Sequence, residues 1–150
     1  DGLRTGLNAG LGFSDADRRE NVRRAAEVAA ILRDAGLVAI VSLISPHADE
    51  RRRARELVGP ERFVEAFLDA PLEVCEGRDP KGLYRRARSG EIPSFTGVSA
   101  SYEPPPRPDV VLRTAEEGVE ACASRLLDAL RGRGLAPGEA DAAGPGRDPA

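Results

Sequence analysis

Leu37-Val38-Ala39-Ile40-Val41 is the stretch on which the fold class turns. An unbroken apolar run of this length, rich in β-branched residues, predicts a strand buried on both faces, as in a parallel sheet covered by helices. Upstream, Ser14 is placed to cap a helix, with Asp17 at its third position in a capping-box-like arrangement. Val22, Ala25, Ala26, Ala29, Ile31 and Leu32 then form an apolar stripe at helical spacing, and Gly36 falls where such a helix stops. Residues 1–13, rich in Gly and Leu, read as a loop.

Downstream the alternation continues. Ser42 to Pro46 is a turn at the carboxyl end of the strand, and a charged helix spans about Ala48–Val58. Phe63–Leu68 reads as a second strand and Pro71 to Gly77 as a short helix. Residues 78–97 form a basic flap, and Asp109–Leu112 is a third strand. Thr114 with Glu117 predicts the cap of a last helix, whose inner face would be Val119, Cys122, Leu126 and Leu130. From about Gly132 the Gly, Pro, Ala and charged residues carry no periodicity and read as a disordered tail. Strands alternating with helices mean an α/β fold with a parallel sheet, whose ligands bind at the carboxyl ends of the strands.

The 150 residues allow one domain at most, with a net charge of −3. A slightly acidic chain argues against general nucleic-acid binding. Cys75 and Cys122 are isolated and His47 is the one histidine, which excludes a His/Cys metal site and a histidine-based triad. Lone cysteines fit a reducing cytoplasm. No apolar run approaches the ~20 residues of a membrane span. The chain contains no Met and opens at Asp1, so either its N-terminus was processed or it is a fragment beginning inside a domain.

Of 22 basic side chains only Lys81 is lysine. Coding bias is the bland account. Its neighbours, Arg78-Asp79-Pro80-Lys81-Gly82-Leu83-Tyr84 and then Arg85-Arg86-Ala87-Arg88, suit a mobile flap over an anionic ligand, where a flexible point charge differs from the rigid fork of arginine. Phe13 and Phe95 stand in glycine-containing loops, flanked by Arg4, Arg18 and Asn21 on one side. Either they sandwich a planar base, at about 1–3 kcal/mol per base, or each plugs the end of an element. Phe63 and Phe67 are more simply core.

These residues also carry a family pattern. Asp1…Arg4-x-Gly6-Leu7-Asn8, Leu11-Gly12-Phe13-Ser14…Asp17-Arg18-x-Glu20-Asn21, Leu43-Ile44-Ser45-Pro46, Arg78-Asp79-Pro80-Lys81-Gly82-Leu83-Tyr84, Phe95-Thr96-Gly97 and Tyr102-Glu103-x-Pro105 together resemble the adenylyl-sulfate (APS) kinase family over about residues 1–131. The resemblance implies a P-loop kinase-type parallel sheet flanked by helices. It also implies phosphoryl transfer from ATP, with Mg²⁺, to the 3′-hydroxyl of adenosine 5′-phosphosulfate (APS), giving PAPS. Phe13 and Phe95 would clasp the adenine of APS. Arg4, Arg18 and Asn21 would hold its phosphosulfate and ribose, and Ile44 and Ser45 would line the same pocket. Lys81 would be the lid cation, with Arg78 near the nucleotide, and Asp1 would orient the hydroxyl or support Mg²⁺. The family's Ser at position 45 has been proposed as a phosphorylated intermediate. Since phosphoryl transfer is mainly positioning and charge neutralisation, a hydrogen bond to substrate is the simpler role.

The chain departs from the pattern in two places. It has no G-x-x-x-x-G-K-[ST] string, whose amides and lysine cradle phosphates, and Lys81 leaves no other lysine to serve. By resemblance the P-loop and the N-terminal strands precede residue 1, so the chain alone is expected neither to fold stably nor to turn over ATP. Ala48 stands where family members often carry Arg, with Arg51 and Arg52 close by. Residues 1–131 then form a partial APS-kinase domain and 132–150 a tail. The full protein is expected to be a homodimer, open to fusion with an ATP sulfurylase or GTPase domain. The alternatives are a degenerate kinase-like binding or regulatory module and, more remotely, a P-loop kinase for another small alcohol.

Overall fold

The computed structural model describes residues 2–136. In chain order these form α1 (Gly2–Thr5), α2 (Asp15–Asp34), α3 (Ala48–Val58), β1 (Ala66–Asp69), α4 (Leu72–Arg78), α5 (Leu83–Arg88), β2 (Val110–Arg113) and α6 (Val119–Gly132). Two compact units emerge. One runs to Phe63 and resumes over Ala70–Arg107; the other comprises Val64–Asp69 and continues from Pro108.

In the first unit α2 begins at the expected cap. The Ser14 hydroxyl accepts the Asp17 amide at 3.1 Å and donates to the Asp17 carboxylate at 2.6 Å. The helix closes in a Schellman motif, with Gly36 at φ 79°, its amide on the Arg33 carbonyl at 2.9 Å and the Leu37 amide on the Leu32 carbonyl at 3.0 Å. The buried face of α2 is Asn21, Val22, Ala25 and Ala26, and α3 packs beside it with Glu50, Arg51 and Val58 buried. The Arg33 guanidinium donates to the Val58 carbonyl, tying the far ends of the two helices. The expected loop at the start contains a single helical turn, α1, and the Asn8 amide donates to the Leu3 carbonyl at 2.7 Å.

The strand expected at 37–41 is not formed. The segment is without regular structure and no amide or carbonyl of residues 38–44 has a backbone hydrogen-bond partner among the described residues. Val38 is 61% exposed and Ile40 82%. Composition makes the segment apolar, but a strand exists only as part of a ladder, and no described residue lies beside it to complete one.

The second unit holds the β structure. β1 pairs with β2 in parallel, in register from Ala66 opposite Val110 to Asp69 opposite Arg113. Val110, Leu112 and Cys122 form its buried centre, with Val64, Ala66, Leu126 and Ala129 packed around them. The second strand thus begins three residues later than its hydrophobic run suggests. Asp109 lies outside β2, because its carboxylate accepts the Glu65 amide at 2.7 Å. The cap expected at Thr114 is absent and α6 starts after Gly118. The Thr114 amide is taken by the Asp69 carbonyl at 3.1 Å, and the Glu117 carboxylate by Arg125 at 2.7 Å. Val119 therefore faces outward, 80% exposed, while Cys122 and Leu126 keep the inner face, where Ala129 rather than Leu130 packs on the buried cluster. Cys75 and Cys122 are both free thiols within helices. Residues 137–150, most of the expected tail, lie outside the described residues.

Candidate functional site

The expected site residues that can be placed all fall in the first unit: Arg4 in α1, Phe13 before α2, Arg18 and Asn21 in α2, Ile44 and Ser45 before α3, Arg78 at the end of α4, and Lys81 and Phe95 on either side of α5. Phe13 is 62% exposed, with the Arg4 guanidinium 4.6 Å from its ring centroid. Arg4 itself donates to the Leu11 and Gly12 carbonyls at 3.1 and 2.8 Å. It thus stiffens the loop that presents the ring and covers it as a cation over a π face.

Arg18, one turn into α2, does more. Its Nε donates to the Phe13 carbonyl at 3.0 Å, Nη1 to the Thr96 hydroxyl at 3.1 Å and Nη2 to the Ser94 carbonyl at 2.6 Å. The loops carrying Phe13 and Phe95 therefore meet at one guanidinium. Phe95 is braced by Tyr84, ring centroids 5.1 Å apart and planes at 74°, an edge-to-face pair. Burial, followed by the proximity of Cys75, pushes the Tyr84 phenol above its ordinary pKa. The Phe95 turn is self-bonded: its amide donates to the Ser99 hydroxyl at 2.9 Å, and its carbonyl accepts the amides of Val98, Ser99 and Ala100.

Asn21 lies one turn further along α2 than Arg18 and is buried. Its Oδ1 accepts from Asn8 Nδ2 at 3.0 Å, which fixes the orientation of the Asn21 amide. Ile44 is 57% exposed, at the end of the unpaired apolar segment. Ser45 is half-buried with φ 37°, and its carbonyl accepts from Arg51 Nη1 at 2.7 Å. Arg51 is buried and also donates to the Glu103 carbonyl at 2.6 Å. It is thus committed to the backbone rather than standing in for the arginine that Ala48 replaces.

Arg78 and Lys81 are exposed, and the expected flap is more ordered than a loop, because α4 reaches Arg78 and α5 opens at Leu83. Asp79 organises the turn between them, its carboxylate accepting the Tyr84 and Arg85 amides at 3.1 Å each. Partial desolvation raises the Asp79 carboxyl, but the amides of Arg85, Tyr84 and Leu83 outweigh it and hold the pKa below its ordinary value. Asp1 lies outside the described residues. Among the described residues no three His, Cys, Asp or Glu side chains converge. Sequence reasoning missed Asn8, Asp79, Tyr84 and Thr96 as supporting residues; each lies inside a motif string, but its partner is reached only through the fold.

The adenylylsulphate kinase family model matches residues 1–113. The chain belongs to this family. An adenylyl-sulfate kinase of Burkholderia ambifaria is 55% identical over 130 residues, covering 87% of this chain and 72% of the relative. One from Acaryochloris marina is 50% identical over 135 residues, covering 90% and 66%. The chain spans about two-thirds of the length of the curated relatives it matches. Among solved structures, the Mycobacterium tuberculosis APS kinase in complex with AMPPNP and APS superposes with a TM-score of 0.83 at 47% identity, covering 87% of this chain and 76% of that one. The fold is accordingly α/β of the P-loop kinase type, a parallel sheet flanked by helices. No helix among the described residues is long and apolar enough to cross a membrane.

Proposed function

We propose that this chain supplies the APS-binding part of an enzyme that moves the γ-phosphoryl group of ATP, as its Mg²⁺ complex, to the 3′-hydroxyl of APS, forming PAPS and ADP. The observation that carries the reading is the Arg18 guanidinium, which joins the Phe13 loop to the Ser94–Thr96 loop and so pairs the two expected adenine-clasping aromatics. The solved M. tuberculosis relative in complex with AMPPNP and APS supports the same pair of substrates.

In this reading Phe13 and Phe95 stack on the adenine, Arg4, Arg18 and Asn21 hold the phosphosulfate and ribose, and Ile44 and Ser45 line the pocket. The 3′-oxygen attacks the γ-phosphorus as the bond from that phosphorus to the bridging oxygen of ADP breaks; the hydroxyl proton passes to solvent and ADP leaves. Lys81, on the exposed turn between α4 and α5, is the lid cation, with Arg78 beside the nucleotide and Asp1 orienting the hydroxyl. Direct attack makes Ser45 a hydrogen-bonding residue, not a phosphorylated one.

We further propose that residues 1–131 are the later part of one kinase domain in a longer, cytoplasmic, homodimeric polypeptide, and that the chain alone is inactive. The bare apolar segment 38–44 and the absence of any G-x-x-x-x-G-K-[ST] string both support the partial domain and its inactivity alone. Fusion to an ATP sulfurylase or GTPase domain is compatible with it. The missing string also favours the alternative, a binding or regulatory module without catalysis. Assaying the full polypeptide with ATP and APS separates the two. PAPS formation, with a raised KM for APS in Phe13→Ala and Phe95→Ala, supports the kinase; APS binding without turnover supports the module.

A further inference from the structure

We infer that Thr96 is a positioning residue of the adenine clasp, acting through Arg18; the inference rests on the APS-binding reading above. A guanidinium has five N–H donors in a rigid plane and no acceptor. Three of those of Arg18 are directed to its own chain, at the Phe13 carbonyl, the Ser94 carbonyl and the Thr96 hydroxyl. Two of these acceptors are backbone atoms that no substitution removes. The Thr96 hydroxyl is the one side-chain acceptor, and Thr96 is only 9% exposed. It therefore fixes the rotation of the fork, and with it the direction of the N–H groups left for an anionic ligand.

The backbone around this contact is held in a form it would not adopt freely. Ser94 has φ 56°, in the left-handed region that side chains other than glycine avoid. That conformation turns its carbonyl onto Arg18 in a short charge-assisted bond of 2.6 Å. Gly97, at φ 86°, closes the same turn, with its amide on the Ala100 carbonyl at 2.9 Å. Strain of this kind persists where surrounding contacts over-determine it. Here those contacts are the three bonds of Arg18 and the self-bonded turn that carries Phe95.

The residue chemistry separates a positioning role from simple packing. Thr96→Val keeps the shape and removes the acceptor; Thr96→Ser keeps the acceptor and removes the methyl. In the full polypeptide, Thr96→Val should raise the KM for APS about ten-fold, the cost of one charge-assisted hydrogen bond. The KM for ATP and kcat should stay within about two-fold, and Thr96→Ser should restore the KM for APS. The Arg18 Nη1–H resonance, from the group that donates to Thr96, gives a readout independent of turnover: slow solvent exchange in the parent and Thr96→Ser, fast exchange in Thr96→Val. An unchanged KM for APS with an unchanged Arg18 signal in Thr96→Val would overturn the inference, as would equal losses in the Val and Ser variants. If the parent forms no PAPS, the activity reading fails, and the Arg18 signal alone decides the role of Thr96.

Discussion

Asn8 Nδ2 donates to Asn21 Oδ1 across 3.0 Å, and the Asn8 side chain is completely sealed from solvent. The pairing occupies one lone pair of the Asn21 carbonyl and so fixes which way its amide points. It also leaves Asn8 Oδ1 buried without a partner. Replacing Asn8 by Ala removes that oxygen but leaves Asn21 Oδ1 without its donor, at a cost of about 1–3 kcal/mol. Urea denaturation of Asn8→Ala, Asn21→Ala and the double variant of the full polypeptide should show that loss, with the double variant less destabilised than the sum of the singles.

Gly97 should not tolerate a side chain. At φ 86° an added Cβ is strained, and it would sit 3.1 Å from Leu72 Cδ1. Gly97→Ala is expected to lower stability by about 1–2 kcal/mol. It should also raise the KM for APS, because the turn it closes carries Phe95. Thermal melts and initial rates check the two effects separately.

Glu50 predicts a pH dependence. The residue is 3% exposed, and neither carboxylate oxygen has a hydrogen-bond partner, though Arg19 Nε approaches to 3.5 Å. Burial pushes its pKa above the ordinary 4.5, His47 and Arg19 oppose this, and Asp49 and Asp15 add to it. The folded state therefore binds the proton more tightly than the unfolded chain, and stability gained from this group rises as pH falls through the folded pKa toward 4.5. Glu50→Gln should melt at a higher temperature than the parent at about pH 7, with the difference shrinking as pH falls. A difference that grows on acidification would contradict this.

Residues 38–44 should report on what covers them. In the chain alone their amides are expected to exchange with solvent at nearly unprotected rates. In the full polypeptide they should slow by about a hundredfold or more, as for a strand inside a sheet. Their unpaired backbone also predicts that the chain alone lacks a cooperative melt. Similar exchange in both forms would contradict the pairing.

The parts of the fold legible in the sequence were those settled within a few residues. Ser14 and Asp17 close a cap between neighbours, Gly36 ends α2 through its own conformation, and α3 spans the expected Ala48–Val58. Features that depend on distant partners were not legible. Val38–Val41 looks like a core strand, yet no residue type states whether a neighbouring strand is there. Thr114 has the residues of a cap but spends its amide on Asp69. In the site, Phe13, Phe95, Arg4, Arg18 and Asn21 were visible as motif residues. Asn8, Tyr84 and Thr96 were not, since each acts through a contact made only in the folded chain.

The central claim is phosphoryl transfer to an adenine-clasped hydroxyl, and γ-labelled ATP tests it most directly. Incubated with the full polypeptide and APS, the label should appear on the 3′-oxygen of PAPS, and Phe95→Ala should raise the APS concentration needed for half-maximal transfer at least ten-fold, the scale of one lost base stack. Release of the label only as inorganic phosphate, or transfer unaffected by Phe95→Ala, would contradict the account.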